Sequence, residues 1–224
     1  MTSRNDRQES ATYEAIAAEG ERLGLYRRMT PAERAASRRA TLARLPAGED
    51  VWLFAYGSLM WKPGIACVER RSALIHGHHR RFCLWTLGRG TPERPGLTLA
   101  LAAGGSCRGV ALRIAADLSD RELEKVWDRE MAGGAYDPRI VTARTADGPV
   151  TAVAFVIDRN HERYAGRLTP DAMAETIARA EGRLGRCSDY LFSTVAHLDA
   201  LGFRDRPLHD LARLVRARMA TAVD

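Results

Sequence analysis

The stretch Val51-Trp52-Leu53-Phe54-Ala55, followed by Tyr56-Gly57-Ser58-Leu59, sets the frame of this chain. Its first part is short, continuous and rich in aromatic and branched residues, the pattern of a core strand. Gly57 then frees the backbone at the strand's end, so that amide N–H groups can turn outward and approach a ligand closely. A loop of this kind suits an anion or an oxyanion. A second feature complements it: the carboxylate of Glu130 falls on what the periodicity makes the buried face of a later helix. An anion-binding loop facing a single acid/base belongs to an enzyme.

Working outward, residues 51–56, 73–78, 80–86, 97–102, 107–114, 139–144 and 150–157 read as strands. Gly- and Pro-bearing loops at 88–96 and 103–106 separate them, a spacing that suits a mostly antiparallel sheet or small barrel. A helix interrupts at about 120–131, and three more fill the C-terminal third. Thr169-Pro170 opens the first, with Met173, Ile177, Ala180 and Leu184 on one face; Leu191, Val195 and Leu198 mark the second, and Leu208, Leu211, Val215 and Met219 the third. Strands first and helices later predict an α+β fold. Residues 1–48 differ in composition, being rich in Ala, Arg and Glu. They form a helical extension ahead of a domain at 49–224, with Thr30, Pro31 and Glu33 marking a capped helix start. No chemistry is evident in this extension.

Bulk properties narrow the function. The chain has 224 residues, 46% of them hydrophobic, enough for one sizeable core. No apolar stretch approaches the ~18–20 residues of a membrane span. The N-terminus has no apolar leader segment and carries Asp6, Glu9, Glu14, Glu19 and Glu21, so a cytoplasmic location is expected. The four cysteines, Cys67, Cys83, Cys107 and Cys187, show no C-x-x-C spacing, which argues against a zinc knuckle or a disulfide framework. The net charge of +6 comes from arginines interleaved with acids, the mark of a solvated surface rather than of a nucleic-acid patch.

The helix at 120–131 carries the chemistry. Ser119 and Glu122 form a capping box at its start, and Leu123, Val126 and Trp127 make its apolar stripe. Glu130 continues that stripe, where a carboxylate is costly unless it is paired or lines a cavity. Proton transfer is one reading; an ion pair with Arg129 or with a sheet arginine is the other. Glu122, Glu124 and Asp128 fall on the polar face or at the cap and read as structural. Gly133 supplies a left-handed C-cap, and Tyr136 follows, either placing its hydroxyl near Glu130 or packing as an aromatic. His76, His78 and His79 cluster without a carboxylate or cysteine to complete a metal site. Cys83 and Cys107 lack the local signature of a Cys–His nucleophile. The loop at 88–96 sets Arg89 and Arg94 among glycines, as a carboxylate clamp or as solvated loop arginines.

These segments, in this order, resemble the ChaC-like, glutathione-specific γ-glutamylcyclotransferases. The resemblance runs from about Val51 to Val215. It rests on residues 54–63 (FAYGSLMWKP), 79–85 (HRRFCLW), 89–97 (RGTPERPGL) and 105–111 (GSCRGVA), and on Arg129-Glu130-Met131, Tyr136 and Tyr164-Ala165-Gly166. It implies a γ-glutamylcyclotransferase-like fold, a small mixed barrel flanked by helices. It also implies conversion of glutathione to 5-oxoproline and Cys-Gly without a metal or organic cofactor. Glu130 falls on the family's catalytic glutamate, and Phe54, Ala55, Tyr56, Gly57, Ser58 and Leu59 on its γ-glutamyl-binding loop; Tyr136 after the helix and Arg89 in the Gly/Pro-rich loop are the further substrate-binding candidates read from the sequence itself. Ala55 stands where the family often has Gly. The expected partner is a small molecule, glutathione, with no nucleic acid or membrane, the chain being a monomer or weak homodimer. Another γ-glutamyl amino acid or γ-glutamylamine is the alternative substrate, and a basic nucleic-acid-binding protein the weaker alternative.

Overall fold

The computed structural model describes residues 4–221, with residues 4–10 as backbone only. Two helices come first, α1 (Arg4–Arg22) and α2 (Pro31–Leu42). The start of α2 is as expected: the Thr30 hydroxyl accepts from the Glu33 amide, and the Glu33 carboxylate accepts in return from the Thr30 amide. Strand β1 (Val51–Ala55) follows and leads into a 3-10 turn, Ser58–Met60. Then come two long strands, β2 (Glu69–Thr86) and β3 (Gly96–Ile114), helix α3 (Ser119–Glu130), and the pair β4 (Tyr136–Thr145) and β5 (Gly148–Ile157). The remainder is α4 (Pro170–Arg179), the short strands β6 (Glu181–Gly182) and β7 (Gly185–Arg186), α5 (Cys187–Ala200) and α6 (Arg206–Thr221). No helix among the described residues is long and apolar enough to cross a membrane.

The described chain divides into two compact units. One holds everything up to Arg80 together with Leu101–Glu162; the other holds Arg81–Ala100 and everything from Arg163 onward. The first unit is built on a closed barrel in the order β1-β3-β2-β4-β5. β1 runs antiparallel to β3, from Val51 opposite Ile114 to Ala55 opposite Val110, and parallel to β5, with Trp52 opposite Ala152. The barrel is therefore mixed, and closure leaves none of these strands with an open edge. Leu53, Phe54, Ile75, Leu101, Leu112 and Phe155 are wholly buried in this unit. α3 joins the same core through Trp127, whose ring meets Phe155 edge-to-face at 4.9 Å. In the second unit Leu191, Leu198, Leu208, Leu211 and Val215 are buried on the expected helix faces, and Thr169 caps α4.

Several local expectations are corrected. Each of the two strand pairs read at 73–86 and 97–114 is one continuous strand: Gly77 in β2 and Gly104 and Gly105 in β3, all at positive φ, bend the strands without ending them. The stripe read through Ala180 and Leu184 stops short: α4 ends at Arg179, where Ala180 turns to an extended backbone. The left-handed residue after α3 is Gly134, not Gly133. Ser119 and Glu122 make no capping box. A 3-10 turn, Ala116–Leu118, runs straight into α3, so Ser119 already has helical backbone and its hydroxyl donates back to the Ala116 carbonyl at 2.9 Å.

Glu122 is thereby released to turn inward, and its side chain is 1% exposed. It accepts from the Ala66 amide at 2.9 Å, from Lys125 Nζ at 2.7 Å and from Arg121 Nε at 3.2 Å. Burial by itself raises the affinity of such a carboxyl for a proton. The Lys125 ammonium, the Ala66 amide and Arg121 outweigh it and hold the group below the ordinary carboxylate range. Its folded value lies below its unfolded one, about 4.3. Its contribution to stability is therefore complete above that pH and is lost as the pH falls through the folded value. The Glu122→Gln variant should unfold more easily than wild type at pH 7, with the difference shrinking below about pH 4. Denaturant unfolding at the two pH values measures it; a gap that stays constant would mean that Glu122 acts through packing alone.

Candidate active site

β1 delivers the loop of interest at its C-terminal end. Phe54, Ala55, Tyr56, Gly57 and Leu59 are buried, and Ser58 is half-buried. The Tyr56 hydroxyl donates to the Phe155 carbonyl at 2.9 Å, which fastens the loop to β5. The backbone carbonyl of Tyr56 is held on its other side by Arg80 Nε at 2.6 Å, and the same buried guanidinium donates to the Arg108 carbonyl. A trans peptide points its carbonyl and its N–H in opposite directions. Pinning the Tyr56 carbonyl on Arg80 therefore directs the Gly57 N–H away from that side. The 3-10 turn follows, closed by the Met60 amide on the Gly57 carbonyl at 2.9 Å. Its leading amides, those of Gly57, Ser58 and Leu59, have no acceptor within the turn.

Arg129 links this turn to α3. Its Nη2 donates to Ser58 Oγ at 2.6 Å and its Nη1 to the Lys62 carbonyl at 2.9 Å. Its Nε lies 3.2 Å from Glu130 Oε1. Successive helical residues point about 100° apart and ordinarily do not face each other. Here the long arginine stem reaches round the last turn of the helix, and one guanidinium touches the loop, the chain beyond it and the carboxylate. The Arg129 and Glu130 side chains are only 9% and 17% exposed, so this pair is shielded from much of the solvent that weakens surface ion pairs. The two readings of Glu130 are thus not exclusive, since the carboxylate has an arginine partner and still sits beside the loop.

The remaining candidates fall as follows. Tyr136 opens β4 half-buried, its ring edge-on to Phe155 at 6.3 Å, so it shares with Tyr56 a contact to that residue. Arg89 belongs to the second unit, where its guanidinium lies 5.4 Å from the Tyr190 ring centre and donates to the Arg186 carbonyl at 3.3 Å. Arg94 is exposed. Burial pushes the Cys83 thiol up to about 11, so it stays protonated at neutral pH and is a poor nucleophile. His79 bonds the Gly104 carbonyl, and among the described residues no group of three or more His, Cys, Asp or Glu is gathered as a metal-ligand set. Arg80 escaped the sequence reading, although strand alternation sets it on the face of Phe82 and Leu84. Nothing in the sequence signals that Arg129 would reach Ser58.

A family model described as ChaC-like protein matches residues 51–218. The chain belongs to the ChaC-like family. This ChaC-like chain is 42% identical over 190 residues to the glutathione-specific gamma-glutamylcyclotransferase of Escherichia coli (strain K12), covering 84% of this chain and 82% of that protein. It is 31% identical over 176 residues to gamma-glutamylcyclotransferase 2-3 of Arabidopsis thaliana, covering 74% and 88%. Among solved structures, the glutathione-specific γ-glutamyl cyclotransferase from yeast superposes with a TM-score of 0.68 at 21% identity, over 76% of this chain and 100% of that one. The fold of this ChaC-like chain is therefore the γ-glutamylcyclotransferase-like α+β fold that the sequence led one to expect.

The geometry makes Arg80 testable without any assay of turnover. In Arg80→Met the stem is retained but the Tyr56 and Arg108 carbonyls lose a charged donor, at a cost of about 1.5–3 kcal/mol. Denaturant unfolding should show that loss with an unchanged slope; an unaltered midpoint would mean that other groups hold the loop.

Proposed function

We propose that this chain is a glutathione-specific γ-glutamylcyclotransferase, a lyase that converts glutathione to 5-oxoproline and Cys-Gly. What supports the reading is the link Ser58–Arg129–Glu130, which brings a turn with unsatisfied amides and a half-buried carboxylate to one place. The E. coli and yeast relatives bear this activity in their names, and 42% identity across most of both chains supports its extension to this one.

The chemistry follows from the substrate. Its nucleophile is its own α-amine, which is largely protonated at neutral pH. Glu130 takes the proton, and the freed amine attacks the γ-carbonyl carbon of the same glutamyl arm. Binding that arm in a folded form makes the attack a near-attack conformer. The amides of Gly57, Ser58 and Leu59 stabilise the oxyanion as it forms. Collapse breaks the bond to the cysteine nitrogen as Glu130 returns its proton to the departing amine; the ring nitrogen, which still carries two hydrogens after the attack, then gives up a second proton through the same carboxylate, and the dipeptide leaves as an ammonium. One C–N bond forms and one breaks, two protons pass from the α-nitrogen to the cysteine nitrogen, and no water or redox partner is consumed. Tyr56, with its hydroxyl tied to Phe155, and Tyr136 beside the same residue shape the side of the γ-glutamyl arm. All four cysteines are free thiols, which suits the reducing cytoplasm, where glutathione is abundant.

Release of 5-oxoproline from glutathione, compared with release from γ-glutamyl-alanine, tests the activity and the substrate together. Turnover of γ-glutamyl-alanine alone would replace the tripeptide by the alternative substrate class. Glu130→Gln keeps the shape of the side chain but cannot accept the amine's proton. It should remain folded with activity lower by at least about 10²-fold. Near-normal turnover by this variant would reduce Glu130 to a structural partner of Arg129.

A further inference from the structure

Residues 1–50 lie outside the stretch matched by the family model, yet several of them between Tyr13 and Arg38 grip the helix that carries Glu130 along its length. Near its start, Arg38 of α2 pairs with Asp120 at 3.0 Å and with Glu124 at 3.6 Å. Midway, Trp127 Nε1 donates to Ser37 Oγ at 3.2 Å, and Arg34 pairs with Asp128 at 3.0 Å. Beyond its end, the Met29 amide donates to the Ala132 carbonyl at 3.1 Å. Arg34 and Arg38 are buried, unlike ordinary surface arginines. α1 is drawn into the same assembly, because Glu14 pairs with Arg34 at 3.2 Å and with Arg28 at 3.0 Å. Immediately before Glu14, the ring of Tyr13 lies 5.5 Å from the Arg129 guanidinium carbon. The extension therefore touches the residue that joins the Ser58 turn to Glu130.

We propose that Tyr13 is a positioning residue for the candidate active site. Its ring holds the Arg129 guanidinium in the plane from which it reaches Ser58, Lys62 and Glu130, so the N-terminal helices complete the site. A guanidinium on an aromatic face is attracted by the ring and is constrained in orientation by it. The ring also shields that face from water, which strengthens the three polar contacts made at the guanidinium's edge. Without it, a long arginine side chain recovers rotamer freedom, and the loop and the carboxylate are held together for less of the time. The inference rests on the catalytic reading of Glu130 for its effect on turnover, but not for its effect on Arg129.

The test uses the full-length chain with Tyr13→Leu, which removes the ring, and Tyr13→Phe, which keeps it. Steady-state kinetics with glutathione give one readout. The second is the Nε–H resonance of Arg129, which an immobilised guanidinium protects from exchange and which Arg129→Lys identifies by its disappearance. Tyr13→Leu should lower kcat about ten-fold with a much smaller change in KM, and should lose the protected resonance. Tyr13→Phe should keep the resonance and remain within about three-fold of wild type. Tyr13→Met, long and apolar but without a ring, repeats the test should the leucine variant not fold. A leucine variant with wild-type kcat and an intact Arg129 resonance overturns the proposal, as does a phenylalanine variant as impaired as leucine. Should the wild type release no 5-oxoproline, the functional reading fails by itself, while the resonance still decides whether Tyr13 positions Arg129.

Discussion

The Arg129 guanidinium is the joint on which the candidate site depends. It contacts the turn after β1 through Ser58, the chain beyond that turn through Lys62, and the carboxylate at the end of its own helix. Each contact draws on the fixed fork of donors that only arginine presents, so a lysine there would satisfy fewer of them. The pair with Glu130 is short of water but not of donors, which is the condition under which a partly buried carboxylate is tolerated. The same guanidinium ties the carboxylate to the turn whose leading amides have no acceptor within it.

Around this joint, the first unit supplies rigidity from several directions. The barrel fixes where β1 ends, since its register with β3 and β5 leaves no room to slip without turning the buried Leu53 outward. Arg80 sets the peptide plane ahead of Gly57. Trp127 against Phe155 seats α3 on the barrel, and Glu122, wholly buried, ties the start of that helix to the Ala66 amide. Each holds a different part of the constellation, and a reaction that needs an amine, a carbonyl and a carboxylate in line needs all of them.

The N-terminal helices carry no candidate catalytic group, yet they contact the helix that carries Glu130. Their contacts with α3 are mostly charged, and the arginines that make them are buried beside acids that remain partly exposed. That arrangement favours one orientation of the helix, because charge pairs with two-point contacts tolerate less sliding than an apolar face does.

The sequence by itself settled the elements whose causes are local. The core strand at 51–55, the capped start of α2 at Thr30 and Glu33, the cap at Thr169 and the apolar stripe of Leu123, Val126 and Trp127 follow from neighbouring residues alone, and each stands where it was expected. The family resemblance pointed to Glu130 and to the loop at 54–59 as the site. Where the outcome turned on a partner distant in the chain, local reading failed. Glu122 read as a cap because Ser119 precedes it by three residues. Its real acceptor role came from Ala66, fifty-six positions away, and from a 3-10 turn that made the cap unnecessary. The continuity of β3 through Gly104 and Gly105, which composition presents as a loop, was decided by strands already in place around it. Arg80 on the Tyr56 carbonyl, Arg129 on Ser58 and Tyr13 beneath Arg129 bring together residues 24, 71 and 116 positions apart. No periodicity encodes such meetings, because they depend on which surfaces the barrel and its helices bring face to face. Only the tertiary structure decided them.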